Sequence, residues 1–204
     1  MYSKHQPIIS RYARACPENL ARVMQFVIIT AQTRLYNVPA NVETAEQGGD
    51  EALGVLYGWK LAAYANAYIN RERNYSYLEF TFAQEDWSIR ERTEIMLEYV
   101  ASLPGFGPAK AGFVLQLTYG LAGCMDTHNL KRFNMPLRVF DNYCQRKSIK
   151  GRRAKIALYL NTLEKIGTPE YLWDSWCIFV FEKYPSVYSD ANHVSRVHCD
   201  ALGL

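Results

Sequence analysis

The sequence predicts an all-α chain, and three observations carry the prediction. Apolar residues recur at three- and four-residue steps almost throughout. Caps and helix-starting prolines stand ahead of several of these stretches. Only Tyr75–Phe82 alternates, in part, like a strand, and it reads as a loop or short extended segment. With 204 residues, 49% of them hydrophobic, the chain is long enough for one filled core or two small lobes around a cleft, and it is not disordered.

Taken in order, the first expected helix has Pro17 at its first helical position and Leu20, Val23, Met24, Val27, Ile28 and Ala31 on one face. Asn41–Asp50 reads as a polar loop. Glu51–Asn70 reads as a second helix, in which Gly54 and Gly58, one turn apart, would let another helix approach closely. Ser88 with Glu91 forms a capping-box pattern ahead of Ile89, Met96, Val100 and Leu103. Arg152–Ile166 carries Ile156, Leu160 and Leu163 on one face. Thr168-Pro169-Glu170 starts an aromatic-rich helix running to Tyr184, with Tyr171, Trp173, Trp176 and Phe179 expected mostly in the core. With no repeat or clear linker, residues 1–204 read as a single domain.

The formal charge of +3 permits a nucleic-acid partner without arguing for one. Arg146, Lys147, Lys150, Arg152, Arg153 and Lys155 form a basic cluster that is either a phosphate patch or a solvated helix start. Five scattered cysteines without a Cys-x-x-Cys pair suit free thiols in a reducing compartment. They argue against an iron–sulfur cluster or a zinc ribbon, and no metal or cofactor is expected. His193, His198 and Cys199 read as part of a loose C-terminal tail rather than as ligands. No apolar run reaches membrane-spanning length and the first residues lack a signal-peptide core, so a soluble cytoplasmic chain without a membrane partner is expected.

The chemistry concentrates in Leu103–Gly120 and the residues just after it. Gly105 and Gly107 allow a tight turn between a helix ending near Leu103 and one starting near Pro108. The first amides of the second helix lack intrahelical partners, and the dipole there favours an anion such as a phosphate. Lys110 would add a charge-assisted contact. Small residues at Ala109, Ala111 and Gly112 let the paired helices pack closely. Asp126 stands at the head of a further helix beginning at Thr127, where it is an N-cap, a catalytic carboxylate, or both. His128 is a candidate for acid–base chemistry or a phosphate contact. Tyr57, Trp59, Tyr64 and Tyr68 would stack on bases or, at helical spacing, line a core or cleft.

The Leu103-Pro-Gly-Phe-Gly string followed by Asp126 resembles the helix-hairpin-helix and Asp motif of the endonuclease III-type DNA glycosylases. Val27-Ile-Ile-Thr-Ala-Gln-Thr33 is similar to a second motif of that family. The resemblance spans roughly residues 17–180, with the helix-hairpin-helix at about 89–120. It implies a glycosylase-like helical fold and two lobes around a cleft; Gly105, Phe106, Gly107, Lys110, Lys131 and Arg132 are expected to contact the DNA, and Lys110, Lys131 or Arg132 to steady a departing pyrophosphate. Gln32 would enter the DNA stack beside an extruded nucleotide, and Asp126 would be catalytic; Lys110 and His128 are further candidates beside it. Ala109 stands where lyase members of the family carry a Schiff-base lysine, so lyase chemistry is not expected; the iron–sulfur cysteines of many members are absent too. The stretch Gly120–Phe133 and the short chain are more similar to a bacteriophage branch, the amino acid:DNA transferases of thymine hypermodification. That branch implies a free amino acid or amine attacking an activated hydroxymethyluracil in DNA with loss of pyrophosphate, in the host cytoplasm. A monofunctional glycosylase and a non-catalytic DNA-binding module stand as the alternatives.

Overall fold

In the computed structural model, which describes residues 1–140, 143 and 148–204, the regular elements are helical and no strand occurs among those residues. At the centre lies α2 (Pro17–Thr30). Pro17 presets the backbone at its first position, Glu18 complements the dipole, and Leu20, Val23, Met24, Val27 and Ile28 are at most 1% exposed. Packed against it are α1 (Tyr2–Ala13), α3 (Val38–Gln47), α5 (Trp59–Ile69), α6 (Arg71–Phe82), α8 (Pro108–Tyr119) and α12 (Ala191–Leu202). The short α4 (Gly49–Val55) lies on α3.

On the other side of α8 stands α7 (Ile89–Ser102), which also touches α6 and α10 (Ile149–Ile166). Ser88 and Glu91 form the reciprocal capping box at the start of α7. The six-residue α9 (Thr127–Arg132) follows α8, and α11 (Pro169–Lys183) packs on α1 and α12. Thr168 caps α11 by accepting the Tyr171 amide at 3.1 Å, with Pro169 in the first turn. No helix is long and apolar enough to cross a membrane among the described residues.

Four sequence expectations are corrected. Residues 75–82 belong to α6, because Asn74, Leu78 and Thr81 face inward at helical spacing while the intervening aromatics merely mimic alternation. The stretch 41–50 is largely α3, closed by Gly48 and Gly49 at positive φ. The expected helix 51–70 is broken at Leu56–Gly58, where Gly58 has φ +59°. Neither Gly54 nor Gly58 has any atom within 4 Å of its missing Cβ, so they are not a helix-packing stripe. The C-terminal segment is helix α12 rather than a tail, with Val194, His198 and Leu202 at most 1% exposed. His193 is exposed and His198 is buried, and no cluster of three potential metal ligands occurs among the described residues. Of the basic cluster, Arg146 and Lys147 lie outside the described residues. Arg153 pairs with Glu98 at 3.1 Å, and Lys155 donates to the Val139 carbonyl at 2.7 Å.

Candidate functional site

Asp126 is the N-cap of α9 and accepts the Asn129 amide on Oδ1 at 2.9 Å. The loop that delivers it is pinned residue by residue. Cys124 donates its amide to Gln116 of α8, and its carbonyl accepts the Asn129 side chain at 2.7 Å. Tyr159 of α10 donates its hydroxyl to the Gly123 carbonyl at 2.6 Å and accepts the Met125 amide at 2.9 Å. Gly112 must lack a side chain here, since a Cβ would overlap the Gly123 carbonyl and stand 2.6 Å from the Tyr159 hydroxyl. Burial pushes both the Tyr159 phenol and the neighbouring Cys124 thiol well above their usual pKa.

The α7–α8 turn divides its glycines into two kinds. Gly105 has φ +75°, and a Cβ there would overlap Ala63 and come within 3.0 Å of the Trp59 ring, so it serves packing against α5. Gly107, the N-cap of α8, is extended with open space where its Cβ would be. No side chain caps this helix start. Phe106 does not supply the expected surface contact. It is 4% exposed within the core, and its amide donates to the Leu103 carbonyl at 3.0 Å. Lys110 places its ammonium 4.6 Å from the centre of the Trp59 ring, a cation–π arrangement.

Past the end of α2 the chain makes a type II turn. Ala31 has φ −63° and ψ 124°, Gln32 has φ +60°, and the Thr33 amide returns to the Thr30 carbonyl at 3.2 Å. Glycine is the usual occupant of that third position, so Gln32 holds a strained backbone. Its side chain is exposed, with Oε1 accepting the Tyr57 hydroxyl at 3.3 Å.

These pieces meet at one cleft of about 830 Å³. Gln32, Gly107, Lys110, Asp126 and His128 all line it. Arg34 and Lys183 add positive charge, and Asp126 is the one carboxylate among the described lining residues. The inner wall is aromatic. Trp176 and Phe179, expected in the core, are half-buried cleft residues, Trp173 is buried but also reaches the cleft lining, and Tyr171 is half exposed. His198, also on the wall, sits in a box of Trp173, Trp176, Phe26 and Phe113 with ring centres 4.6, 5.7, 5.9 and 5.9 Å away. Its Nδ1–H donates to the Ser195 carbonyl at 3.0 Å, and burial pushes its pKa down to about 4.

Protein-family models, curated proteins and solved structures yield no match to this chain.

Lys131 and Arg132 are not brought to the cleft lining. Lys131 is exposed on α9. Arg132 donates to the Asn129 side chain at 2.8 Å and lies 5.4 Å from the centres of both the Phe133 and Phe179 rings. Sequence reasoning overlooked Tyr159, Trp176, Phe179 and His198 as site residues. Nothing local marks Tyr159, which reaches the Asp126 loop from α10. The aromatic repeat of α11 was visible, but its division between core and cleft depends on what packs opposite.

Proposed function

We propose that the chain modifies a base in DNA, taking an everted nucleotide into the cleft so that Asp126 acts on it. The observation that carries this reading is the meeting of three features on one cleft: the uncapped start of α8 at Gly107, the Asp126 carboxylate and the strained Gln32 turn. A helix start with open space at Gly107 suits a backbone phosphate, and Lys110 beside it adds charge. Eversion leaves a gap in the stack, which Gln32 would fill. The aromatic wall at Trp176 and Phe179 suits the face of a base.

The chemistry supported best is transfer of an amino acid or amine to a pyrophosphorylated hydroxymethyluracil. The amine nitrogen attacks the exocyclic methylene carbon, a C–N bond forms, the C–O bond breaks and pyrophosphate departs. Asp126 takes the proton that the nitrogen loses. A volume of about 830 Å³ lies near the upper end of the range for small-molecule sites, leaving room for a second substrate beside the base. The excess of Arg34, Lys110 and Lys183 over one carboxylate favours a polyanionic leaving group.

Asp126→Asn tests the reading. Turnover should fall at least ~100-fold while DNA affinity is retained. Hydroxymethyluracil DNA, with and without prior pyrophosphorylation and an amino acid, should yield an aminated nucleoside by mass analysis. Free base or abasic sites would identify a monofunctional glycosylase instead, and unchanged turnover in the variant would remove Asp126 from the mechanism.

A further inference from the structure

Lys60 is a buried cation with no carboxylate within ion-pair distance among the described residues. It is 1% exposed, on the first turn of α5. Such a charge is costly unless something offsets it. Its ammonium donates two long hydrogen bonds, to the Ile29 carbonyl and to the Thr33 hydroxyl oxygen, both 3.4 Å, and lies 5.2 Å from the centre of the Tyr57 ring. Ile29 belongs to the last turn of α2, where helix carbonyls concentrate partial negative charge, so the helix end serves as its counter-charge. Burial, and then the neighbouring Lys110 ammonium, push its pKa below the ordinary lysine value.

The two hydrogen-bond acceptors and the ring that the Lys60 ammonium meets all belong to the frame of the Gln32 turn. The Thr33 hydroxyl donates to the same Ile29 carbonyl at 2.7 Å, so lysine and threonine converge on one oxygen. Thr33 also closes the turn with its amide. Tyr57, whose ring faces the ammonium, donates its hydroxyl to Gln32 Oε1. Lys60 thus holds the turn from beneath, and Tyr57 holds the side chain the turn presents.

We propose that Lys60 is a positioning residue that keeps Gln32 in its left-handed conformation at the cleft, ready to occupy the gap left by an everted base. The inference rests on the base-eversion reading above. Without the ammonium, Ile29 and Thr33 lose their shared donor and Gln32 can relax to negative φ, withdrawing its side chain from the cleft.

The test uses a duplex with one pyrophosphorylated 5-hydroxymethyluracil beside a 2-aminopurine, whose fluorescence rises on eversion. Lys60→Met, close in shape but uncharged, should lower that rise roughly tenfold, the ratio set by the strain of one left-handed residue. DNA affinity by anisotropy should stay within about twofold, since the α7–α8 turn is untouched. Gln32→Ala should give the same loss, and Gln32→Ala with Lys60→Met no more than either alone. Lys60→Gln, which keeps N–H donors, should recover part of the signal and stands in if the methionine variant fails to fold. Full brightening with both Lys60 variants, or losses that multiply in the double variant, overturns the role of Lys60 and leaves base eversion intact. A wild-type protein that binds the duplex without brightening overturns base eversion, and the role of Lys60 with it.

Discussion

The Tyr159 hydroxyl accepts the Met125 amide at 2.9 Å, one residue before Asp126, and donates to the Gly123 carbonyl two residues further back. One phenol on α10 therefore fixes both sides of Cys124 and sets the angle at which the chain enters α9. Since burial keeps the phenol protonated far above its ordinary range, the donor is present at every working pH. Tyr159→Phe leaves a buried N–H and a buried carbonyl unpaired, at a cost of about 1–3 kcal/mol in urea unfolding. It should also lower turnover about tenfold or more with DNA affinity unchanged, because the shift falls on the carboxylate and spares the α8 start.

Gly105 and Gly107 should separate on substitution. Gly105→Ala meets both a positive φ and an overlap with Ala63, so it should cost at least about 2 kcal/mol and lower the melting temperature. Gly107→Ala meets open space and an ordinary extended backbone, so its stability cost should stay below about 1 kcal/mol. Its methyl group would nevertheless stand at the uncapped helix start and hinder a phosphate, weakening DNA binding several-fold by anisotropy. Equal affinity for wild type and Gly107→Ala would place the phosphate elsewhere.

Features encoded by neighbouring residues were legible in the sequence. The Ser88–Glu91 box, the Thr168-Pro169 start and the Asp126 cap each need only a few adjacent positions, and all three are present. The turn glycines and Gln32, Lys110 and His128 were marked by motif, and Gly107, Gln32, Lys110 and His128 line the cleft together. What escaped depends on distant chain. The inward face of α6 is set by Asn74, Leu78 and Thr81, two of them polar, so its hydrophobic period is faint. The segment containing His198 resembles a polar tail until Ser195 is seen to accept the Trp173 indole N–H and to share a hydrogen bond with His5. Phe106 sits in a string that suggests an exposed turn, yet the core claims its ring.

His198 gives a pH dependence whose sign is determined by burial. Its pKa falls from 6.5 in the unfolded chain to about 4 in the aromatic box. Above pH 6.5 both states are neutral there and the residue contributes no slope. As the pH drops below 6.5, the unfolded chain takes up a proton that the folded chain refuses, so stability falls until about pH 4. The full difference is roughly 3 kcal/mol. His5, also lowered by burial, bends the profile the same way. Denaturant midpoints of His198→Phe should therefore decline less than those of wild type between pH 6.5 and 4. Parallel profiles would mean that the imidazole is protonated inside the folded protein.

Gln32 should show stability and function pulling apart. Its φ of +60° is one that glycine adopts freely and glutamine resists, by about 1 kcal/mol. Gln32→Gly removes that strain and gives up only a 3.3 Å contact with the exposed Tyr57 hydroxyl. The variant should therefore unfold at equal or higher urea concentration than wild type, despite losing a side chain. On DNA it should fail, because no group remains to fill the stack. Turnover on duplex should drop, while turnover on a single strand, where no stacked partner needs replacing, should be spared. A glutamine that selection held in place only for folding would give the reverse pattern, with lower stability and equal activity on both substrates.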